Sequence, residues 1–174
     1  MKNGLGVRRR LALDMFSSIE DKRIAAHELR TIMWEATLRC NLACRHCGSD
    51  CRSEAAVPDM PAADFLRTID TITPHVVPNR VLIVITGGEA LMRRDIEEVG
   101  RALYDRGYPW GIVTNGMLLD ERRLESLLRA GLHTATVSLD GFAETHNRIR
   151  RNERSYERAL GALRLLARQP DILY

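Results

Sequence analysis

The chain has 174 residues, enough for one domain with a real core, and 45% hydrophobic against 28% charged residues describes a folded globule. A net charge of +3 is too small to point to nucleic acid. No run approaches the ~18 apolar residues of a membrane span. The short apolar patch Leu11-Ala12-Leu13 is broken by Asp14 with no cleavage site behind it, so no signal peptide is read and a cytoplasmic setting is expected.

Residues 1–30 are charged and read as an N-terminal extension, with at most a short helix over Asp21–Leu29. Residues 31–174 read as the core domain. A strand is predicted over Thr31–Leu38, where Ile32, Trp34 and Ala36 alternate with Met33, Glu35 and Thr37. All four cysteines follow it within Cys40–Cys51, and the first three are spaced C-x3-C-x2-C. In a reducing compartment such clustering reads as metal ligation before disulfides.

Asp59 and Pro61 signal a helix start, and Phe65, Leu66, Ile69 and Ile72 share one face of that helix. Val81–Ile85 is a continuous β-branched and leucine run, the pattern of a strand buried on both faces in a parallel sheet. The unit then repeats. The loop Thr86-Gly87-Gly88-Glu89 leads to a helix over Asp95–Arg106, with Ile96, Val99 and Leu103 inward and Gly107 beyond its end. Trp110–Thr114 is a strand closed by Asn115-Gly116. Asp120 caps a helix carrying Leu124, Leu127 and Leu128 that stops at Gly131. Thr134–Leu139 is a strand ended by the Asp140-Gly141 turn. Ser155 caps a last helix with Leu160, Leu163 and Leu166 on one side, and Asp171–Tyr174 opens a further strand. Trp34 and Trp110 read as core residues.

Strand–loop–helix alternation of this kind implies an α/β fold with parallel strands and right-handed crossovers. The natural closure is a partial (β/α) barrel, with the cysteine loop and the three strand-end loops on one rim. Four units do not close a barrel, so the expectation is a domain truncated after about four βα units, within a longer protein.

Three close thiolates on a [4Fe–4S] cluster leave one iron open. A structural zinc is the competing reading and needs a fourth partner, His46 or Cys51. Cys51 is otherwise a spectator thiol. The order Cys40-x3-Cys44-x2-Cys47, Thr86-Gly87-Gly88-Glu89, Thr114-Asn115-Gly116 and Ser138-Leu139-Asp140-Gly141, each after a strand, resembles the radical S-adenosylmethionine (radical SAM) superfamily. The resemblance runs over about residues 31–174.

That resemblance implies that Cys40, Cys44 and Cys47 ligate three irons while S-adenosylmethionine chelates the fourth. Gly87, Gly88 and Glu89 match the motif that holds the methionine ammonium; family members have Pro after this Glu, where this chain has Ala90. Asn115 and Ser138 match ribose or methionine-carboxylate contacts, and Asp140 is a weaker candidate for the same pocket. His46, just before the third cysteine, matches a position beside the adenine. The activity implied is reductive cleavage of S-adenosylmethionine to a 5′-deoxyadenosyl radical that takes a hydrogen atom from substrate.

The Ser-Leu-Asp-Gly and Thr-Asn-Gly segments resemble most the peptide- and protein-maturing branch, whose members carry a SPASM-type domain. The partners implied are a peptide or protein substrate and an electron donor such as flavodoxin or ferredoxin. Cofactor biosynthesis or RNA modification is the enzymatic alternative. A non-catalytic zinc or iron–sulfur module on Cys40, Cys44, Cys47 and Cys51 is the alternative of another class. The stretch His146-Asn147-Arg148-Ile149-Arg150 reads as a basic solvated loop in which Arg148 or Arg150 pairs with a carboxylate; no catalytic role is read for His146.

Overall fold

The computed structural model describes residues 6–174, so the first five residues of the expected extension lie outside it. The chain divides between Arg30 and Thr31 into two compact units. The first carries one helix, α1 (Val7–Ala25), far longer than the short piece expected over Asp21–Leu29. From Val7 to Ala25 the sequence holds neither glycine nor proline, and its four Arg, two Leu and two Ala favour the helix. None of its residues is buried, and Leu11, Phe16 and Ile19 are exposed. No helix among the described residues is long and apolar enough to cross a membrane.

The second unit runs β1 (Thr31–Glu35), α2 (Ala62–Ile72), β2 (Leu82–Thr86), α3 (Ile96–Asp105), β3 (Trp110–Thr114), α4 (Glu121–Arg129), β4 (Leu132–Val137), α5 (Ala143–Arg150) and α6 (Ser155–Leu166). The four strands form one parallel sheet in the order β1-β2-β3-β4. This is the partial (β/α) architecture that the alternation implied. Its core is the apolar filling of the strands: Ile83, Ile85, Ile112 and Ala135 are all buried, and α2, α3 and α4 lay Phe65 and Ile69, Ile96, Val99 and Leu103, and Leu124 and Leu127 against them. Both tryptophans belong to this core, Trp34 stacked on Phe65 with ring centroids 3.9 Å apart.

Boundaries differ where tertiary contacts outweigh local pattern. β4 begins two residues earlier than expected because Leu132 is buried opposite Trp110, and it ends at Val137, leaving Ser138 and Leu139 beyond it. Asp120 caps α4 as expected, accepting from the Arg123 amide at 2.8 Å. Ser155 does not cap α6. It sits inside the first turn with its hydroxyl turned to His146. The buried face of α6 is Ala159, Ala162 and Leu166, with Leu160 and Leu163 only half-buried, because small side chains let this helix approach closely. Of the strand expected over Asp171–Tyr174, the structure shows one isolated parallel bridge, Leu173 beside Thr134 of β4, in which the Ala135 amide donates to the Leu173 carbonyl at 2.9 Å.

α3 approaches β3 closely at Gly100, where an added methyl would overlap the Trp110 indole. In an exposed helix, Gly→Ala adds about 1 kcal/mol of stability. Here the indole is fully buried and its Nε1 donates to the Ala130 carbonyl at 3.2 Å, so it has little room to move. Overpacking by ~1–3 kcal/mol therefore wins. Gly100→Ala is expected to lower the unfolding free energy in a urea titration by ~1–2 kcal/mol; an unchanged or higher midpoint would contradict this packing.

Candidate functional site

The rim is assembled by backbone contact. Gly87 has φ +136°, open to glycine alone, and a side chain there would strike the Thr37 carbonyl. A side chain on Gly88 would strike the Arg39 carbonyl. With both positions bare, the Gly88 amide donates to Thr37 O at 2.7 Å and the Glu89 amide to Arg39 O at 2.9 Å. The Cys40 amide then donates to Arg52 O at 2.6 Å and closes the cysteine loop against the same segment. The Gly-Gly step thus seats the Cys loop against the end of β2.

Glu89 lies beneath this rim and is fully buried. One carboxyl oxygen accepts from Thr114 Oγ1 at 2.7 Å and the Leu91 amide at 3.1 Å; the other accepts from the Asn115 amide at 2.7 Å. Burial pushes its carboxyl above the usual range, with the Asn115 amide and the Thr114 hydroxyl pulling it back down. Both oxygens are therefore spent on the end of β3 and on the first residues after β2. Asn115 is buried in turn. Its Nδ2 donates to Asn41 Oδ1 at 2.8 Å and lies 3.8 Å from Cys40 Sγ, and its Oδ1 accepts from the Met117 amide at 2.9 Å.

A cavity of about 220 Å³ opens above these contacts. It is lined by all four cysteines, His46, Gly87, Gly88, Asn115, Ser138 and Arg150, among others. Of the residues singled out in the sequence, Glu89 and Asp140 are not in its wall. Three thiols each receive an N–H: Cys40 Sγ from the Leu42 amide at 3.4 Å, Cys47 Sγ from the Cys51 amide at 3.4 Å, and Cys44 Sγ from Arg150 Nη1 at 3.9 Å. Cys51 behaves otherwise. Its thiol donates to Ser49 O at 3.7 Å, and burial, then the neighbouring Cys47, push it up to about 11. Burial also raises Cys40, against the pull of the Leu42 amide. Among the described residues no three His, Cys, Asp or Glu side chains already converge on a single ion.

Asp140 meets the cavity wall through Arg150, which lines it. Its carboxylate takes a two-pronged bond from Arg150, Nε to Oδ2 at 2.6 Å and Nη2 to Oδ1 at 3.0 Å, and this pairing holds it below the usual carboxylate range. His46 is half-exposed and points its Nε2 at Asp140 Oδ1 from 3.6 Å. The expected solvated loop is instead helix α5, and His146 within it is fully buried. The Asp140 amide donates to His146 Nδ1 at 3.2 Å, so Nε2 carries the proton and donates to Ser155 Oγ at 2.8 Å. Burial, then the Arg150 charge, hold this imidazole below its ordinary value, which keeps it neutral. The helical spacing of His146 and Arg150 puts both on the face turned to Asp140. That i, i+4 relation was the available signal, and it is lost once the stretch is read as loop.

Solved structures share this architecture. SuiB of Streptococcus suis bound to S-adenosylmethionine superposes with a TM-score of 0.62 at 18% identity, over 94% of this chain and 37% of that one. anSMEcpe with bound AdoMet superposes at 0.63 and 20% identity, over 79% and 40%. The fold and its cysteine-bearing rim define a radical SAM-type domain. The family profile described as the Radical SAM superfamily matches residues 34–169, and this chain belongs to that superfamily, whose cofactors are a [4Fe–4S] cluster and S-adenosylmethionine.

Curated relatives include an AdoMet-dependent heme synthase of Methanosarcina barkeri, 34% identical over 79% of this chain and 39% of its own length. They include a PqqA peptide cyclase of Granulibacter bethesdensis, 29% identical over 78% and 36%. The chain spans about two fifths of the length of these relatives.

Glutamine in place of Glu89 keeps the shape but offers one acceptor oxygen where two are in use. Glu89→Gln leaves a backbone amide, of Leu91 or Asn115, facing an NH₂ group, at a cost of ~1–3 kcal/mol. The expected result is a lower urea midpoint together with reduced iron uptake on anaerobic reconstitution. Wild-type behaviour in both would show that the carboxylate does not tie the rim together.

Proposed function

We propose that this chain is the cofactor-binding core of a radical SAM enzyme, with Cys40, Cys44 and Cys47 as its cluster ligands and Cys51 as a bystander. The observation that carries the reading is the difference in hydrogen bonding. The first three sulfurs accept N–H groups, as ligating thiolates do, whereas the Cys51 thiol gives its proton to a carbonyl. A cubane also takes one thiolate per iron, so its ligands stand around a cavity wall, as these do. Zinc would draw four ligands to one point.

When bound, the cluster supplies the single electron for cleaving the sulfonium of S-adenosylmethionine, and the hard chemistry belongs to that pair. The chain's own residues hold, orient and shield. Gly87 and Gly88, in the cavity wall with no side chains, leave backbone open to the methionine end of the cofactor. Asn115 and Ser138, on the same wall, offer a side-chain amide and a hydroxyl to its ribose or carboxylate, and His46 offers a ring to its adenine. Glu89 acts one layer down, holding the β2 and β3 ends in place. Asp140 works through Arg150 and His46 and needs no contact with the cofactor. A one-electron donor protein such as flavodoxin or ferredoxin is the partner this chemistry requires.

Reconstituted anaerobically with iron and sulfide, reduced, and given S-adenosylmethionine, the protein is expected to release 5′-deoxyadenosine. Cys44→Ala should abolish both the cluster absorption and the product, while Cys51→Ala keeps the cluster. Loss of the cluster in Cys51→Ala, with no product from wild type, would instead support a four-cysteine module.

Two substrate classes have support. The peptide reading is supported by the PqqA peptide cyclase relatives and by the likeness in fold to SuiB bound to its precursor peptide SuiA. The tetrapyrrole reading is supported by the heme synthases and the Fe-coproporphyrin III synthase of Methanosarcina barkeri, the latter 29% identical over 83% of this chain. Titration with Fe-coproporphyrin III separates them. A saturable shift of the porphyrin absorption band that also raises 5′-deoxyadenosine yield selects tetrapyrrole chemistry; no shift turns the assignment to peptides.

A further inference from the structure

We propose that Arg150 sets the reduction potential of the cluster through its contact with Cys44, and that Asp140, with the buried His146 and Ser155 behind it, forms a hydrogen-bonded chain that holds it there. The inference rests on the reading of Cys44 as an iron ligand. Arg150 spreads its guanidinium between two partners: Nε and Nη2 grip Asp140, and Nη1 reaches Cys44 Sγ at 3.9 Å. Its side chain is only 11% exposed, so water screens its charge poorly. Asp140 is fixed from the far side, where its own amide donates to His146 Nδ1 and His146 Nε2 donates to Ser155 Oγ at the start of α6. The α5 end is tied to the cysteine loop a second time, by the Arg45 amide donating to Ile149 O at 2.8 Å. Guanidinium and Cys44 are therefore set by two elements that lock onto each other, and a flexible reach across the gap is not required.

Of the four N–H groups that meet the ligand sulfurs, two of them on Cys40, this one alone carries a full positive charge. Reduction adds an electron to the cluster, so a fixed cation beside one ligand favours the reduced state and raises the potential. Backbone amides at Cys40 and Cys47 act in the same direction with only a dipole. This span between carboxylate and sulfur cannot be supplied by lysine, whose single ammonium does not reach two partners in that fork geometry.

The test is a redox titration of the reconstituted protein without S-adenosylmethionine, followed by the electron paramagnetic resonance signal of the reduced cluster. Arg150→Gln is expected to lower electron affinity about tenfold, a fall of about 59 mV for a one-electron couple. Arg150→Lys should fall by less, and the control Arg148→Gln, on an exposed residue of the same helix, should not shift. Iron and sulfide content read separately: full loading in all three variants leaves the ligand assignment standing whatever the potentials do. Loaded Arg150→Gln with a wild-type potential overturns the inference, as does an equal shift in Arg148→Gln. Failure of both Arg150 variants to load also overturns it, since Arg150 would then build the site and not tune it.

Discussion

A single buried carboxylate holds three strand ends in register. Glu89 follows the Gly-Gly step that is bonded to the end of β1, and its two oxygens bind the residues that close β3. Unpaired burial of this group would cost several kcal/mol. Three donors meet it, and the penalty becomes a constraint: β1, β2 and β3 end where Glu89 can satisfy itself. The cysteine loop inherits that constraint through Thr37 and Arg39, and Asn115 passes it to Asn41 and Cys40.

The two glycines matter for the same reason. They are bare because backbone carbonyls occupy the space where side chains would be. Their first task in this fold is to bring the Cys loop onto the sheet edge. Both also lie in the wall of the cavity. A motif that reads as a binding signature is thus also the joint on which the site is built, and structural and functional demands on it coincide.

The other side of the cavity is held differently. There the joint is ionic, the Arg150–Asp140 pair, backed by a neutral buried histidine. Such a pair is stable only if its remaining polar atoms are met. Asp140 has the His146 and His46 rings nearby, and Arg150 has Cys44. A rim with a rigid hydrogen-bonded half and a charged half presents a neutral wall at Asn115 and a cationic one at Arg150.

What the amino-acid order determined by itself was whatever depends on local pattern. The β-branched runs, the helix faces of α2, α3 and α4, the Asp120 cap and the cysteine spacing were all legible, since period and capping are properties of neighbours in sequence. The family was legible as well, because its motifs fall one after each strand. Tertiary structure decided the rest. Whether Glu89 faces a ligand or its own fold depends on where Thr114 and Asn115 arrive, 25 and 26 residues away in sequence. Whether Arg148 or Arg150 meets a carboxylate depends on the facing side of α5, a helix too short and polar to announce itself. Spacing already sets Cys51 apart from the triplet, and folding adds the Ser49 carbonyl to which its thiol donates. For Glu89 and Arg150 the deciding partner lies outside the residue's own element, and its approach is set by packing.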